Sequence, residues 1–211
     1  MPEENLSEVQ SLAQLEQVVK ACPHCPLRGT RTNVVFGVGN PRSDLIFVGE
    51  APGFHEDRKG EPFVGAAGRL LDELLISILG LTRKDIYIAN VLKCRPPGNR
   101  DPLPEEIEHC RPFLDKQIEL IDPRVICTLG NHATRVILDQ NVNISRIHGK
   151  PRPIGRRWVF PTYHPAAALY TAAVRQLLAE DFKKLGELLA AGAAPETAAA
   201  DGGQVEQMGL F

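Results

Sequence analysis

The sequence predicts an α/β fold, a three-layer α/β/α sandwich with a central, mostly parallel four-stranded sheet. Three observations carry this. Short apolar runs alternate with helical patterns along most of the chain, and such alternation implies a parallel sheet covered on both faces. The runs are apolar throughout, as strands buried on both faces are. Finally, the stretch richest in glycine and proline, Gly49–Gly68 (GEAPGFHEDRKGEPFVGAAG), sits between the end of one such run and the start of a helix. In open α/β sheets that edge is where ligands bind.

Taken in order, Leu6 to Val19 reads as a helix, because Leu6, Val9, Leu12, Leu15, Val18 and Val19 recur at three- and four-residue spacings. It stops at Ala-Cys-Pro-His-Cys-Pro, where prolines forbid continuation. Gly37-Val-Gly-Asn-Pro is a turn, and its lone GxG is weak evidence for phosphate binding. The predicted strands are Leu45–Val48, Ile86–Val91, Val125–Leu129 and Trp158–Phe160. Helical patterns cover Arg69–Leu79, Pro104–Ile121, His132–Leu138 and about Ala166 to Ala191. Thr82-Arg-Lys-Asp85 caps a short turn before the second strand. Gly49–Gly68 itself reads as a long loop, and its amides and glycines let backbone approach a ligand closely.

The carboxyl ends of the strands carry the unusual residues. Glu50 follows the first, Asn90 ends the second, Gly130-Asn131 follows the third and His164 follows the fourth. A parallel sheet brings these ends to one edge, so residues far apart in sequence converge there.

The whole chain sets outer bounds. At 211 residues it fits one domain over 1–191, a linker over 192–206 and a short terminal peptide over 207–211. A net charge of −2 excludes a globally basic nucleic-acid binder, so any such contact is a local patch. No apolar stretch approaches the ~20 residues that span a membrane. The N-terminus MPEENLSEVQ lacks a basic-then-apolar leader pattern. The expectation is a cytoplasmic, monomeric protein without membrane contact, in which clustered cysteines mean metal or catalysis rather than disulfides.

Cys22 and Cys25 form CPHC, Cys94 lies in KCRPPGNRDP, and Cys110 sits in the following helix. Cys127, inside Val-Ile-Cys-Thr-Leu, reads as a small core residue. The spacing C-x2-C, 68 residues, then C-x15-C suits tetrahedral zinc or an iron–sulfur cluster. The long gaps argue against a zinc ribbon; otherwise the chemistry leaves the two metals level.

Together these residues resemble the family 4 uracil-DNA glycosylases, the iron–sulfur class of the uracil-DNA glycosylase superfamily. The resemblance runs from Cys22 to about Leu185. It rests on GEAPGFHEDRKGEPFVGAAGRLLDELL, on NVLKCRPPGNRDP with Cys110, and on YHPAAAL. It implies one structural 4Fe–4S cluster on Cys22, Cys25, Cys94 and Cys110. It also implies excision of uracil, flipped out of double- or single-stranded DNA, as the first step of base excision repair. Phe63 matches the stacking residue, and Asn90 matches the amide that pairs with uracil N3–H and O4 but mismatches cytosine. His164, with backbone amides near Glu50 and Ala51, would stabilise charge developing at O2, so the catalytic set is His164, Glu50 and Asn90. Glu56 matches the wall against the C5 methyl of thymine. Where the best-known glycosylases of the superfamily carry a water-activating aspartate, this chain has Ala51.

DNA grip is expected from Arg95 and Arg100, and from Lys150, Arg152, Arg156 and Arg157 in a strip that also holds Arg146 and His148. Leu169, by the same resemblance, is a weak candidate for a wedge into the gap left by a flipped base. A covalent-trapping relative marked by a KRRIH-like loop is a poorer match: Arg146-Ile147-His148 echoes it in a different place. The tail ends in Gln207, Met208, Gly209, Leu210 and Phe211, which resembles the peptide that binds the bacterial sliding clamp. A flexible tether of this length reaches roughly 20 Å.

Overall fold

The computed structural model describes residues 6–192 and Pro195. Four parallel strands form the middle of the sheet: β2 (Leu45–Gly49), β3 (Tyr87–Asn90), β4 (Val125–Leu129) and β6 (Arg157–Thr162). These are the four expected from apolar runs. Two short antiparallel strands, β1 (Val38–Gly39) and β5 (Arg152–Ile154), extend the edges, giving the order β1-β3-β2-β4-β6-β5. Neither has enough residues to make an apolar run, and Pro153 in β5 sits where proline is tolerated, on an edge. The Gly37-Val-Gly39 stretch therefore borders and enters a strand beside β3.

Alternation along the central strands splits the core into two layers. Ile46, Val48, Ala89, Ile126 and Val159 face α4 (Pro104–Ile121) and α5 (Gly130–Leu138), meeting Leu114, Ile118, Ala133 and Leu138. Leu45, Phe47, Ile88, Cys127 and Phe160 face the opposite layer, α3 (Ala66–Leu74) and α8 (Ala172–Ala191), meeting Leu71, Leu74, Leu178 and Phe182. Cys127 is fully buried there, as a core residue. Outside α4 packs α1 (Leu12–Ala21), through Leu15 and Val19 against Phe113 and Phe36.

Helix boundaries differ from the periodicity in instructive places. The helix that carries Leu15 and Val19 begins at Leu12, because Ser11 Oγ accepts the Gln14 amide and caps it. Leu6 and Val9 precede that cap yet stay buried, which is why the apolar pattern looked continuous. The expected long loop contains α2 (Phe54–Lys59), stopped by Gly60 in the left-handed conformation. Asp57 of α2 accepts the Thr32 and Asn33 amides at 2.8 and 3.3 Å, so this segment is tied to the chain just after the CPHC motif. The helix through Arg69 continues as a wider turn over Leu75–Leu79. The last helical pattern divides into α7 (Pro165–Ala168) and α8. A short α6 (Ile144–Ile147) precedes β5. Among the described residues no helix is long and apolar enough to cross a membrane.

Phe47 is fully buried at the centre of β2, and its ring stacks on Phe182 with centroids 5.8 Å apart. Phe47→Ala is expected to lower unfolding stability by about 3–5 kcal/mol. Chemical denaturation checks this, and a loss under about 1 kcal/mol would contradict the packing described, since buried aromatic truncations cost more.

Candidate active site

A cavity of about 480 Å³ opens at the carboxyl edge of the sheet. Glu50, Ala51, Glu56, Phe63, Asn90 and His164, the six residues expected around a base, all line it. Pro96, Asn99, Arg100 and the Ala166–Ala167 turn complete its walls.

Asn90 closes β3 with its side chain over Gly49, where a Cβ would sit 2.4 Å from Asn90 Oδ1 and 2.7 Å from Phe63 Cζ. Only glycine leaves room for both. Asn90 Oδ1 is buried and has no hydrogen-bond partner among the described residues. An acceptor left in that state costs about 1–3 kcal/mol, and a ligand N–H would recover it.

Phe63 sits at φ 55°, the left-handed region that bulky residues avoid. Its position is fixed from both sides. Arg83 donates to the Pro62 carbonyl at 3.0 Å and to the Phe63 carbonyl, and is itself anchored on Asp72 of α3 at 2.6 Å. Glu56 Oε1 accepts the next two amides, Val64 and Gly65, each at 2.9 Å. One oxygen of Glu56 is thus committed to the start of α3, while its carboxylate still borders the cavity.

His164 stacks on Phe63 with centroids 5.5 Å apart and 26° between planes. Its Nδ1 accepts the Ala166 amide at 3.1 Å, capping α7. That bond fixes the tautomer, placing the ring proton on Nε2. Burial pulls the imidazole down to about 4 from 6.5, with the Glu56 charge opposing. Gly130, at φ 87°, passes so close that a Cβ there would stand 3.1 Å from His164 Cβ. Asn131, expected at the same edge, instead accepts the Ile144 amide at 2.8 Å.

Two residues that sequence reasoning missed meet Glu50. His132 Nε2 lies 3.9 Å from Glu50 Oε2 and 3.6 Å from Asp101 Oδ2. Burial raises the Glu50 carboxyl above its ordinary range; His132 opposes this and Asp101 adds to it. The signal was available, since His132 follows β4 at the edge already singled out.

Around the rim, Arg100 holds Glu106 through two bonds of 2.9 and 2.6 Å, and Glu106 Oε2 also accepts the Leu103 amide at 2.9 Å. Arg95 donates to Asn99 Oδ1 at 2.6 Å and lies 5.1 Å from the half-exposed Phe54 ring. Lys150 donates to the Arg146 carbonyl, near the carboxyl end of β6 through the Gly149–Pro161 bond. Arg152 pairs across from Val159 in mid-strand. Arg156 and Arg157 lie at the amino end of β6, away from His164, and both pair with Asp122. His148 donates from Nδ1 to Asp181, which Thr162 also binds, and it does not line the cavity. Gln207, Met208, Leu210 and Phe211 lie outside the described residues.

Cys22, Cys25, Cys94 and Cys110 surround a second, small cavity and form no disulfide. Burial pushes the Cys110 thiol up to about 12 and raises Cys94 and Cys25, and the neighbouring cysteines push in the same direction. The Arg31 guanidinium donates to Cys94 Sγ at 3.2 Å and to the carbonyls of Lys20 and Cys22. Four cysteines around one small cavity, Cys94 and Cys110 buried and Cys22 and Cys25 partly so, with a cationic donor, suit thiolate ligation of a metal group.

A parallel sheet whose carboxyl edge holds a pocket walled by an aromatic, a carboxamide and an imidazole defines an α/β protein built to bind a flat polar ring. A family model described as the uracil DNA glycosylase superfamily matches residues 36–186, and the chain belongs to that superfamily. It is 48% identical over 188 residues to a type-4 uracil-DNA glycosylase of Sulfurisphaera tokodaii, covering 85% of this chain and 86% of the relative. The match to the type-4 enzyme of Archaeoglobus fulgidus is 50% over 189 residues, covering 85% and 94%. That to the Saccharolobus solfataricus enzyme is 46% over 190 residues, covering 86% and 88%.

The His164 geometry makes a signed pH prediction. Because burial holds the folded ring at about 4 against 6.5, the unfolded chain takes up its proton first as pH falls. This residue's share of stability is therefore full above 6.5 and declines between 6.5 and 4. Imidazole ¹⁵N spectra at neutral pH should show a neutral ring protonated on Nε2; a midpoint near 6.5 or an Nδ1 proton would contradict the assignment.

Proposed function

We infer that the protein is a uracil-DNA glycosylase, a hydrolase that removes uracil from DNA and so starts base excision repair. The observation that carries this reading is the unpartnered Asn90 Oδ1, held over Gly49 beside Phe63 in the pocket. Uracil N3–H supplies the donor that this acceptor lacks, and the Asn90 amide nitrogen donates to O4. Cytosine offers an acceptor at N3 and an amino group instead, so both contacts fail. Reaching such a pocket requires the nucleotide to leave the stack.

In the reaction the C1′–N1 bond breaks and its electron pair passes into the uracil ring. Water then bonds to C1′, and the proton it gives up is balanced by protonation of the uracil anion to free uracil. Negative charge on uracil O2 meets the Nε2–H of His164, a neutral donor that need not surrender its proton, together with backbone amides at Glu50 and Ala51. Phe63 lies under the ring. Glu50, set beside His132 and Asp101, borders the same cavity. Glu56 stands against the C5 methyl that distinguishes thymine, a wall kept rigid by the Val64 and Gly65 amides. Arg95 and Arg100 at the rim, extended by Lys150, supply phosphate contacts. The strip's remaining arginines, Arg152, Arg156 and Arg157, extend toward the other end of β6.

Cys22, Cys25, Cys94 and Cys110 hold one 4Fe–4S cluster in this reading. Its contribution is structural, tying the end of α1 to the loop after β3 and to α4. Domain 1–191 is then the catalytic unit, acting as a monomer. The terminal Gln207, Met208, Leu210 and Phe211 serve as a bacterial sliding-clamp peptide on the 192–206 tether.

Incubation with U:G, U:A and single-stranded uracil oligonucleotides, with T:G as control, should release uracil and leave alkali-labile sites only in the first three. Binding without base release would mean a non-catalytic module. Asn90→Ala and His164→Ala are each expected to cost about 10²–10³-fold in rate, the scale of a lost transition-state donor. Both should keep the absorbance at about 400 nm of an iron–sulfur cluster, whereas Cys94→Ser should lose it. A colourless, zinc-containing wild type prepared anaerobically overturns the cluster assignment.

A tail peptide ending in Gln207–Phe211, titrated against purified bacterial clamp, should bind in the micromolar range. No binding at high micromolar peptide removes that partner.

A further inference from the structure

One buried charge takes no part in the chemistry above. Lys93 is 1% exposed. Its ammonium donates to the Asn90 carbonyl at 2.8 Å and to Gln117 Oε1. Gln117 in turn donates from Nε2 to the Phe36 carbonyl at 3.0 Å. Lys93 also lines the cavity shared by Cys22, Cys25, Cys94 and Cys110. A single side chain therefore borders the cysteine site and grips the residue whose own side chain reads the base.

Burying an ammonium demands compensation beyond two neutral acceptors. Ligating thiolates on the cavity that Lys93 also lines would provide it. Arg31 already answers Cys94 from the exposed side; Lys93 answers from the interior. The sequence makes the arrangement compact. Asn90 ends β3, Cys94 lies four residues on, and Lys93 turns back between them onto the Asn90 carbonyl.

We propose that Lys93 is a positioning residue coupling the two sites, its ammonium balancing the negative charge of the cysteine-bound group while its hydrogen bonds hold the Asn90 backbone in register for uracil. The charge half rests on the iron–sulfur reading; the register half rests on the Lys93–Asn90 bond. Loss of the anionic group then leaves Lys93 uncompensated and loosens Asn90, so cluster state is felt in base recognition although the cluster touches no substrate.

The test uses purified, iron-loaded wild type, Lys93→Met and Lys93→Arg. Lys93→Met should retain iron, show a more negative cluster reduction potential because the counter-charge is gone, and lose about tenfold in kcat/KM on a single-stranded uracil oligonucleotide, the scale of one charge-assisted hydrogen bond. Lys93→Arg keeps the charge but not the geometry, so its potential should stay near wild type while kcat/KM still falls. A merely structural lysine would not separate the two variants in this way. Iron-loaded Lys93→Met with wild-type potential and kcat/KM overturns the proposal, and a shifted potential with unchanged kcat/KM removes the coupling. If Lys93→Met does not fold, Gln117→Leu removes one anchor without altering the cysteine cavity. It should lower kcat/KM at unchanged iron content, and unaltered kinetics overturn the register half. An iron-free wild type is visible before any variant is made and overturns the cluster reading and the charge half together.

Discussion

The site depends on Phe63 being held where an aromatic residue does not settle unaided. A left-handed backbone at a bulky side chain costs of order 1–3 kcal/mol, and the surrounding contacts over-determine it. Arg83 takes the Pro62 and Phe63 carbonyls while braced on Asp72, and Glu56 takes the following two amides. Gly49 leaves the space into which the ring and the Asn90 amide both project. His164 then packs against that ring, and the cavity is the gap these groups leave. Removing any one support moves the others, because each is positioned by contact with Phe63 or with the backbone beside it.

In the proposed reaction, negative charge develops in a pocket that two carboxylates border. A free acid there would oppose the leaving anion through a medium that screens poorly. Neither acid is free. One Glu56 oxygen is spent on amides at the positive end of α3. Glu50, whose carboxyl burial already disfavours as an anion, has His132 beside it. His164 works from the opposite direction: burial keeps it neutral, so it offers a directed N–H. A full positive charge there would bind other anions as readily.

The sheet and the cavity at its carboxyl edge were legible in the sequence for one physical reason. Strands buried on both faces must be apolar throughout, so β2, β3, β4 and β6 announce themselves, and a parallel sheet fixes where their ends meet. Asn90 and His164 follow from that rule without knowledge of any loop. What stayed hidden was set by side-chain geometry or by elements too short to have a period. Strands β1 and β5 have two and three residues. Helix α2 has six and lies in a stretch whose glycines and prolines read as loop. Glu56, read from the sequence as a wall against a methyl, braces the loop through the Val64 and Gly65 amides. Arg156 and Arg157 looked like part of one basic strip, but strand direction carries them to the end of β6 opposite the pocket, where Asp122 meets them.

Lys93 shows most plainly why sequence alone stops short. In NVLKCRPPGNRDP it looks like one more exposed cation beside Arg95 and Arg100. The strand geometry turns it inward, because the chain leaving β3 must return against α4 to place Cys94 beside Cys110. A side chain four residues or fewer from both the Asn90 amide and a cysteine can then reach the space between them. The short run from Asn90 to Cys94 thus obliges the two sites to share a backbone. On the proposal for Lys93, a change in charge or packing at either end would pass through three intervening residues rather than across the core.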